Sequence, residues 1–170
     1  MSVSQVLIAG HTIISIVAIL AGALALRDIF RAKASSPFIS AFLILAIATS
    51  ATGFVLPLSG VSPAVVIAIV ALAVLIAVLV SKRHLGRSRS ARWIYVGGLV
   101  ASEYLRICVG VAQAFAKISI LQSAAPTQSK PPFAIAQGIV LVAFLVLGVL
   151  AIRPFKPQSD GSSELSFKQG

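Results

Sequence analysis

Five long apolar runs, separated by short polar or proline-rich segments, set the plan of this chain. They cover about residues 6–26, 38–58, 63–80, 93–117 and 133–152. Within each run the apolar positions are nearly continuous. They neither alternate with polar ones, as on a half-buried strand, nor fall on a single face at helical spacing. A helix rising ~1.5 Å per residue needs about 20 such residues to cross a hydrocarbon layer ~30 Å thick. The pattern therefore predicts an all-α, polytopic transmembrane bundle of five spans over residues 1–152, with a disordered cytoplasmic tail over 153–170.

The polar punctuation refines the ends of the spans. The first run follows MSVSQ, which has no basic side chain, and it is longer than the apolar part of a signal peptide; it reads as a permanent helix, although Ala23-Leu24-Ala25 resembles a cleavage site. Ser35-Ser36-Pro37 reads as a turn. The second run carries Thr49, Ser50, Thr52 and Gly53, and Pro57, Gly60 and Pro63 mark a short connection. Pro63 suits the first turn of the third helix, whose AVVIAIVALAVLIAVLV stretch has no polar side chain. Trp93 and Tyr95 open the fourth run as interfacial aromatics do.

Composition agrees with lipid as the solvent. Hydrophobic residues make up 58% and charged residues only 11% of 170, against about 25% charged in a soluble domain. A formal charge of +10 can point to nucleic acid. Here the basic residues lie in short segments between apolar runs, at 27–33, 82–92 and 153–156, so no nucleic-acid partner is expected. With five spans those three segments share one side, and the positive-inside rule puts the N-terminus outside and the C-terminus in the cytoplasm. Lys82, Arg83, Arg87, Arg89 and Arg92 would also attract anionic lipid. Cys108, the single cysteine, excludes an intrachain disulfide and reads as a small packing residue.

The candidate chemistry lies in the fourth run. Glu103 and Arg106 are three positions apart, so on a helix their side chains can meet, and an intramembrane ion pair is expected. One such charge at a helix centre costs roughly 2.5–3.5 kcal/mol on insertion scales, which pairing reduces. Gly110, Gln113 and Lys117 continue the same face. Depth along the spans places His11, Thr49, Thr52, Gln113 and Gln137 in the outer half with this pair. A polar cluster is expected there beneath the loop Pro126-Thr127-Gln128-Ser129-Lys130-Pro131-Pro132. The bland reading of Glu103 with Arg106 is a structural ion pair that orients helices, and that of His11, Gln113 and Gln137 is an interhelical hydrogen bond.

Several chemistries are disfavoured. His84 is expected on the cytoplasmic side while His11 lies in the outer half of its span, so this chain alone does not supply a bis-histidine haem site. It contains no HExxH, CxxC or GxxxxGK[ST] motif and no four-ligand metal cluster. Of four acidic residues only Glu103 lies in a span, which disfavours a paired-carboxylate catalyst. No enzyme activity, metal or cofactor is expected.

The stretch AQAFAKISILQSAAPTQSKPPF leading into the last run, with SATGFVLP in the second run and RWIYV at the start of the fourth, resembles a family of small bacterial integral membrane proteins of no established activity. Its members show a VQAF-K-P-L-x-APTQSEPPF-like loop and a TGF-x-x-P pattern. The resemblance covers most of residues 40–154 and implies a bacterial inner-membrane location. Where the family pattern has an apolar residue and an asparagine, this chain has Glu103 and Arg106, and Lys130 replaces the usual acid of the loop. A double change that brings in both signs favours a compensated ion pair.

The expected function is that of a non-enzymatic accessory or structural membrane protein, acting through helix or loop contacts with a membrane-protein partner or a second copy. The alternative is a small transporter or a proton- or anion-responsive protein using the outer-half cluster. A third reading is a redox subunit in which His11 ligates a cofactor shared with a partner.

Overall fold

The computed structural model of the chain describes residues 3–55, 63–153 and 155. Among the described residues its regular elements are all helices: α1 (Val3–Phe30), α2 (Pro37–Val55), α3 (Pro63–Lys82), α4 (Arg89–Lys117), α5 (Ser119–Ala124) and α6 (Pro131–Ile152). All but α5 are long and apolar enough to cross a membrane. The five-span, all-α architecture read from the apolar runs is the observed one. The expected end of the second span at 56–58, the connection through Pro57 and Gly60, and nearly all of the tail lie outside the described residues.

Where the helices end is decided by local backbone chemistry rather than by hydropathy. α1 continues past the apolar run through Arg27 and Asp28. It stops in a left-handed turn at Ala32 (φ 57°), with Ala32 N donating to Ile29 O and Lys33 N to Asp28 O at 2.9 and 3.0 Å. These two bonds are a Schellman termination, which satisfies carbonyls that the helix end would leave open. Lys33 Nζ adds an ion pair to Asp28 Oδ1 at 3.6 Å. α2 starts where Ser36 Oγ accepts from Ile39 N at 3.1 Å, with Pro37 at the first helical position. α4 starts at Arg89, four residues before the apolar run, because Ser88 caps it by accepting from Ala91 N at 3.4 Å. α6 opens at Pro131 rather than at 133. The short helix α5 has no counterpart among the expected spans.

α1, α2, α3 and α4 form a ring in which each touches the next and α4 closes back onto α1; α6 lies outside, against α4. α4 and α6 run antiparallel: Phe115 meets Phe133, Cys108 meets Gln137, Tyr104 meets Phe144, Gly148 meets Val100 and Gly97 meets Ile152. One end of the bundle therefore gathers the basic residues of 27–33 and 82–92 with Arg153, and the other carries Lys117 and Lys130.

Two consecutive glycines explain how α4 serves two neighbours. A Cβ at Gly98 would overlap Val78 Cγ2 of α3, whereas one at Gly97 would sit 3.6 Å from Ile152 Cδ1 of α6. Small residues let helices approach closely where lipid supplies no hydrophobic drive. The core nearest the basic end is closed by Tyr95, which is fully buried and donates its hydroxyl to Ala34 O at 2.7 Å. Phe155 is buried against the Tyr95 ring, with centroids 6.4 Å apart. The assignment of residues from 153 onward to a disordered tail thus does not hold for Phe155, an apolar ring that belongs to the core.

Candidate functional site: the polar residues inside the bundle

Glu103 is the middle residue of α4, fourteen after Arg89 and fourteen before Lys117, so roughly 21 Å of helix extends to either side. It is 2% exposed. Its carboxyl group rests on the backbone of α1 at Gly22, where an added Cβ would overlap it. Glycine at this position is what leaves the carboxyl room between α1 and α4.

The expected contact between Glu103 and Arg106 is not formed. Among the described residues, Lys33–Asp28 is the ion pair within 4.0 Å. Arg106 turns instead toward α2. Its guanidinium carbon lies 5.2 Å from the centroid of Phe42, and its Nη1 donates to Ser102 O of its own helix at 2.8 Å. The two charges remain in coulombic reach of each other, but each faces a different helix. The physical reason lies in the partners. Gly22 offers Glu103 a hollow on α1, and Phe42 offers Arg106 a ring face worth about 0.5–2 kcal/mol.

Three polar atoms on this face of α4 are buried with no hydrogen-bond partner among the described residues: Ser102 Oγ, Glu103 Oε2 and Arg106 Nε. An unsatisfied buried polar group costs about 1–3 kcal/mol, and more when charged. Three within five residues of one helix mark the most polar point of the interior.

The other members of the expected cluster do not converge on that point. His11 Nδ1 and Thr52 Oγ1 are 2.9 Å apart and join α1 to α2. Lys117, on α4, is within coulombic reach of His11. Thr49 Oγ1 donates to Leu45 O at 2.7 Å, within its own helix. Gln113 is exposed. Gln137 Nε2 donates to Cys108 O at 2.9 Å and ties α6 to α4, with its Oε1 buried and unpartnered. The single cluster expected from depth thus resolves into three separate interfaces: α1–α2, α4 with α1 and α2, and α4–α6. Equal depth along a span does not imply a shared face, since each residue step turns a helix by about 100°.

The loop from Pro126 to Pro132 is held at one end by Phe133, edge-on to Phe115 of α4 with centroids 5.5 Å apart. Thr127 Oγ1 and Ser129 Oγ are 2.8 Å apart, and Lys130 N donates to Thr127 O at 3.1 Å, so the segment forms a compact turn. Pro126, Thr127, Gln128, Ser129, Lys130, Pro131 and Pro132 are all exposed.

Gly22, Phe42 and Ser102 have no place in the cluster expected from depth, although they surround its central pair. Ser102 stands beside Glu103 and four before Arg106, a spacing visible in the chain; Gly22 and Phe42 carry no local signal of their partners. No group of three or more His, Cys, Asp or Glu side chains suited to a metal occurs among the described residues. No protein family, no curated protein and no solved structure matches the chain.

Proposed function

We propose that the chain is a non-enzymatic protein of the bacterial cytoplasmic membrane, with its N-terminus outside, that works through contacts of its helices and outer loop with another membrane protein or with a second copy. One observation carries this reading: His11, Gln137 and the Glu103 region each serve a different helix–helix contact, so the polar side chains hold the bundle together instead of lining one path. The loop from Pro126 to Pro132 and α5, with Ile120 77% exposed, supply accessible surface at the end away from the basic segments. The family resemblance of the loop and the distribution of basic residues support the location and the orientation.

The test is photo-crosslinking in native membranes from single positions at Gln128 and Ile120. A discrete protein adduct from these positions, and none from Ile139 on α6, is the expected result. Uniform labelling by lipid from all three positions would sink the reading.

A second reading rests on the three unpartnered polar atoms at mid-span. Ser102 Oγ, Glu103 Oε2 and Arg106 Nε support a proton- or anion-responsive bundle, because intramembrane ionisable groups commonly mark such sites. Proteoliposomes with an internal pH dye distinguish it. A flux abolished by Glu103→Gln supports this reading, and no flux in the wild-type protein removes it.

A further inference from the structure

Two hollows on the outside of the bundle line up along a single stripe of α4. The first, of about 280 Å³, is bounded by Arg89, Ser90, Trp93 and Ile94. The second, of about 340 Å³, is a groove between α4 and α6, running past Gly97, Ala101 and Tyr104 on one side and from Ile152 to Leu141 on the other. Ser90, Ile94, Gly97, Ala101 and Tyr104 follow one another at steps of four, three, four and three residues, the spacing of one helical face. The hollow at the basic end and the groove thus lie in line along this face.

We propose that this stripe is a binding site for one anionic phospholipid of the surrounding bilayer, its phosphate at Arg89 and Ser90 and one acyl chain in the α4–α6 groove. Length supports the chain's place. From Ile152 to Leu141 the groove follows eleven residues of α6, roughly 16 Å, and one leaflet of hydrocarbon is about 15 Å deep. Gly97 keeps the wall of the groove low, and the lining is almost wholly apolar. Charge supports the headgroup's place. The segment 82–92 contains Lys82, Arg83, Arg87, Arg89 and Arg92 and no acid, and Arg89 has no carboxylate partner among the described residues. Because Ser88 caps α4 at this point, Arg89 belongs to the helix and is held one turn before Trp93, about 12 Å along the helix from Gly97, where the groove begins. A diffuse basic surface attracts anionic lipid without choosing a position; a helical arginine in line with an apolar groove one leaflet deep selects one.

Trp93, the only tryptophan, borders the hollow and reports on it directly. The full chain is reconstituted in phosphatidylcholine bilayers with either chain-brominated phosphatidylglycerol or chain-brominated phosphatidylcholine, and quenching of Trp93 gives the relative binding constant. Roughly fivefold preference for the anionic lipid is expected, the effect of one basic residue near such a surface. Arg89→Gln should remove it and Arg89→Lys retain it, while Arg83→Gln, the same loss of charge outside the hollow, should leave it. Moving the reporter to the deep end of the groove, with Trp93→Phe and Tyr104→Trp, should show the same preference and the same dependence on Arg89. Equal quenching by the two lipids, equal effects of Arg83→Gln and Arg89→Gln, or no Arg89-dependent preference at position 104 would each overturn the assignment.

Discussion

Gly98→Ala tests why α4 stands between α3 and α6. A Cβ at this position would overlap Val78 Cγ2 and lie 3.7 Å from Val74 Cγ1. Val78 is fully buried, and a β-branched side chain on a helix has one strongly preferred χ1, so the methyl cannot turn aside. Either α3 and α4 separate or Val78 leaves its rotamer. Overpacking of this kind costs about 1–3 kcal/mol. Alanine offsets part of it, because glycine inside a helix is less favourable by about 0.8–1.0 kcal/mol in water. Gly10→Ala is the internal reference. No atom of the neighbouring structure lies within 4 Å of a Cβ there, so it carries the propensity gain alone. Gly98→Ala should be less stable than Gly10→Ala by about 1–3 kcal/mol. Reversible unfolding in mixed micelles, followed by the fluorescence of Trp93, measures the difference. Val78→Ala removes the obstructing methyl, so adding it to Gly98→Ala should cost less than the sum of the single changes, by about 0.5–3 kcal/mol. Equal stability of the two glycine variants, or strict additivity with Val78→Ala, refutes the reasoning.

Ala32→Gly should raise stability by about 1 kcal/mol in the same assay, because it relieves a left-handed backbone at the end of α1; a loss would show that Ala32 is not strained there. Tyr95→Phe should cost about 0.5–1.5 kcal/mol by leaving the Ala34 carbonyl without its donor, seen as a lower unfolding midpoint. Gln137→Leu should cost about 0.6 and at most about 1.7 kcal/mol, the range of side-chain hydrogen bonds between membrane helices. A larger loss would mean that Gln137 holds more than α6 to α4. For the orientation, Ser88→Cys in a Cys108→Ala background should be protected from an impermeant thiol reagent in intact cells, whereas Ser129→Cys should react; the reverse labelling pattern would invert the topology.

Much of the bundle was legible in the chain because crossing a bilayer imposes a length and a composition that local sequence must satisfy. The helix ends were harder to read. α4 begins at Arg89 because Ser88 can cap it, and α1 outlasts its apolar run because Asp28 and Lys33 complete its termination. Such signals involve one or two residues and are masked by hydropathy. Glu103 and Arg106 were conspicuous by their charge. Their partners, Gly22 and Phe42, were silent: a glycine and a phenylalanine in apolar runs look alike whether they face lipid or a neighbouring charge.

The sequence by itself determined that this chain crosses a membrane five times and that its basic segments share one end. Lipid requires satisfied backbone groups and apolar side chains over a full span, and each span meets that requirement alone. Only the tertiary structure decided which helices touch, that Glu103 and Arg106 part toward α1 and α2, and that the polar cluster divides among three interfaces. In lipid an apolar side chain is almost equally well satisfied against the bilayer or against another helix. Hydropathy therefore does not mark the inner face of α1, α2, α3 or α6; close approaches at Gly22 and Gly98 select it for α1 and α3.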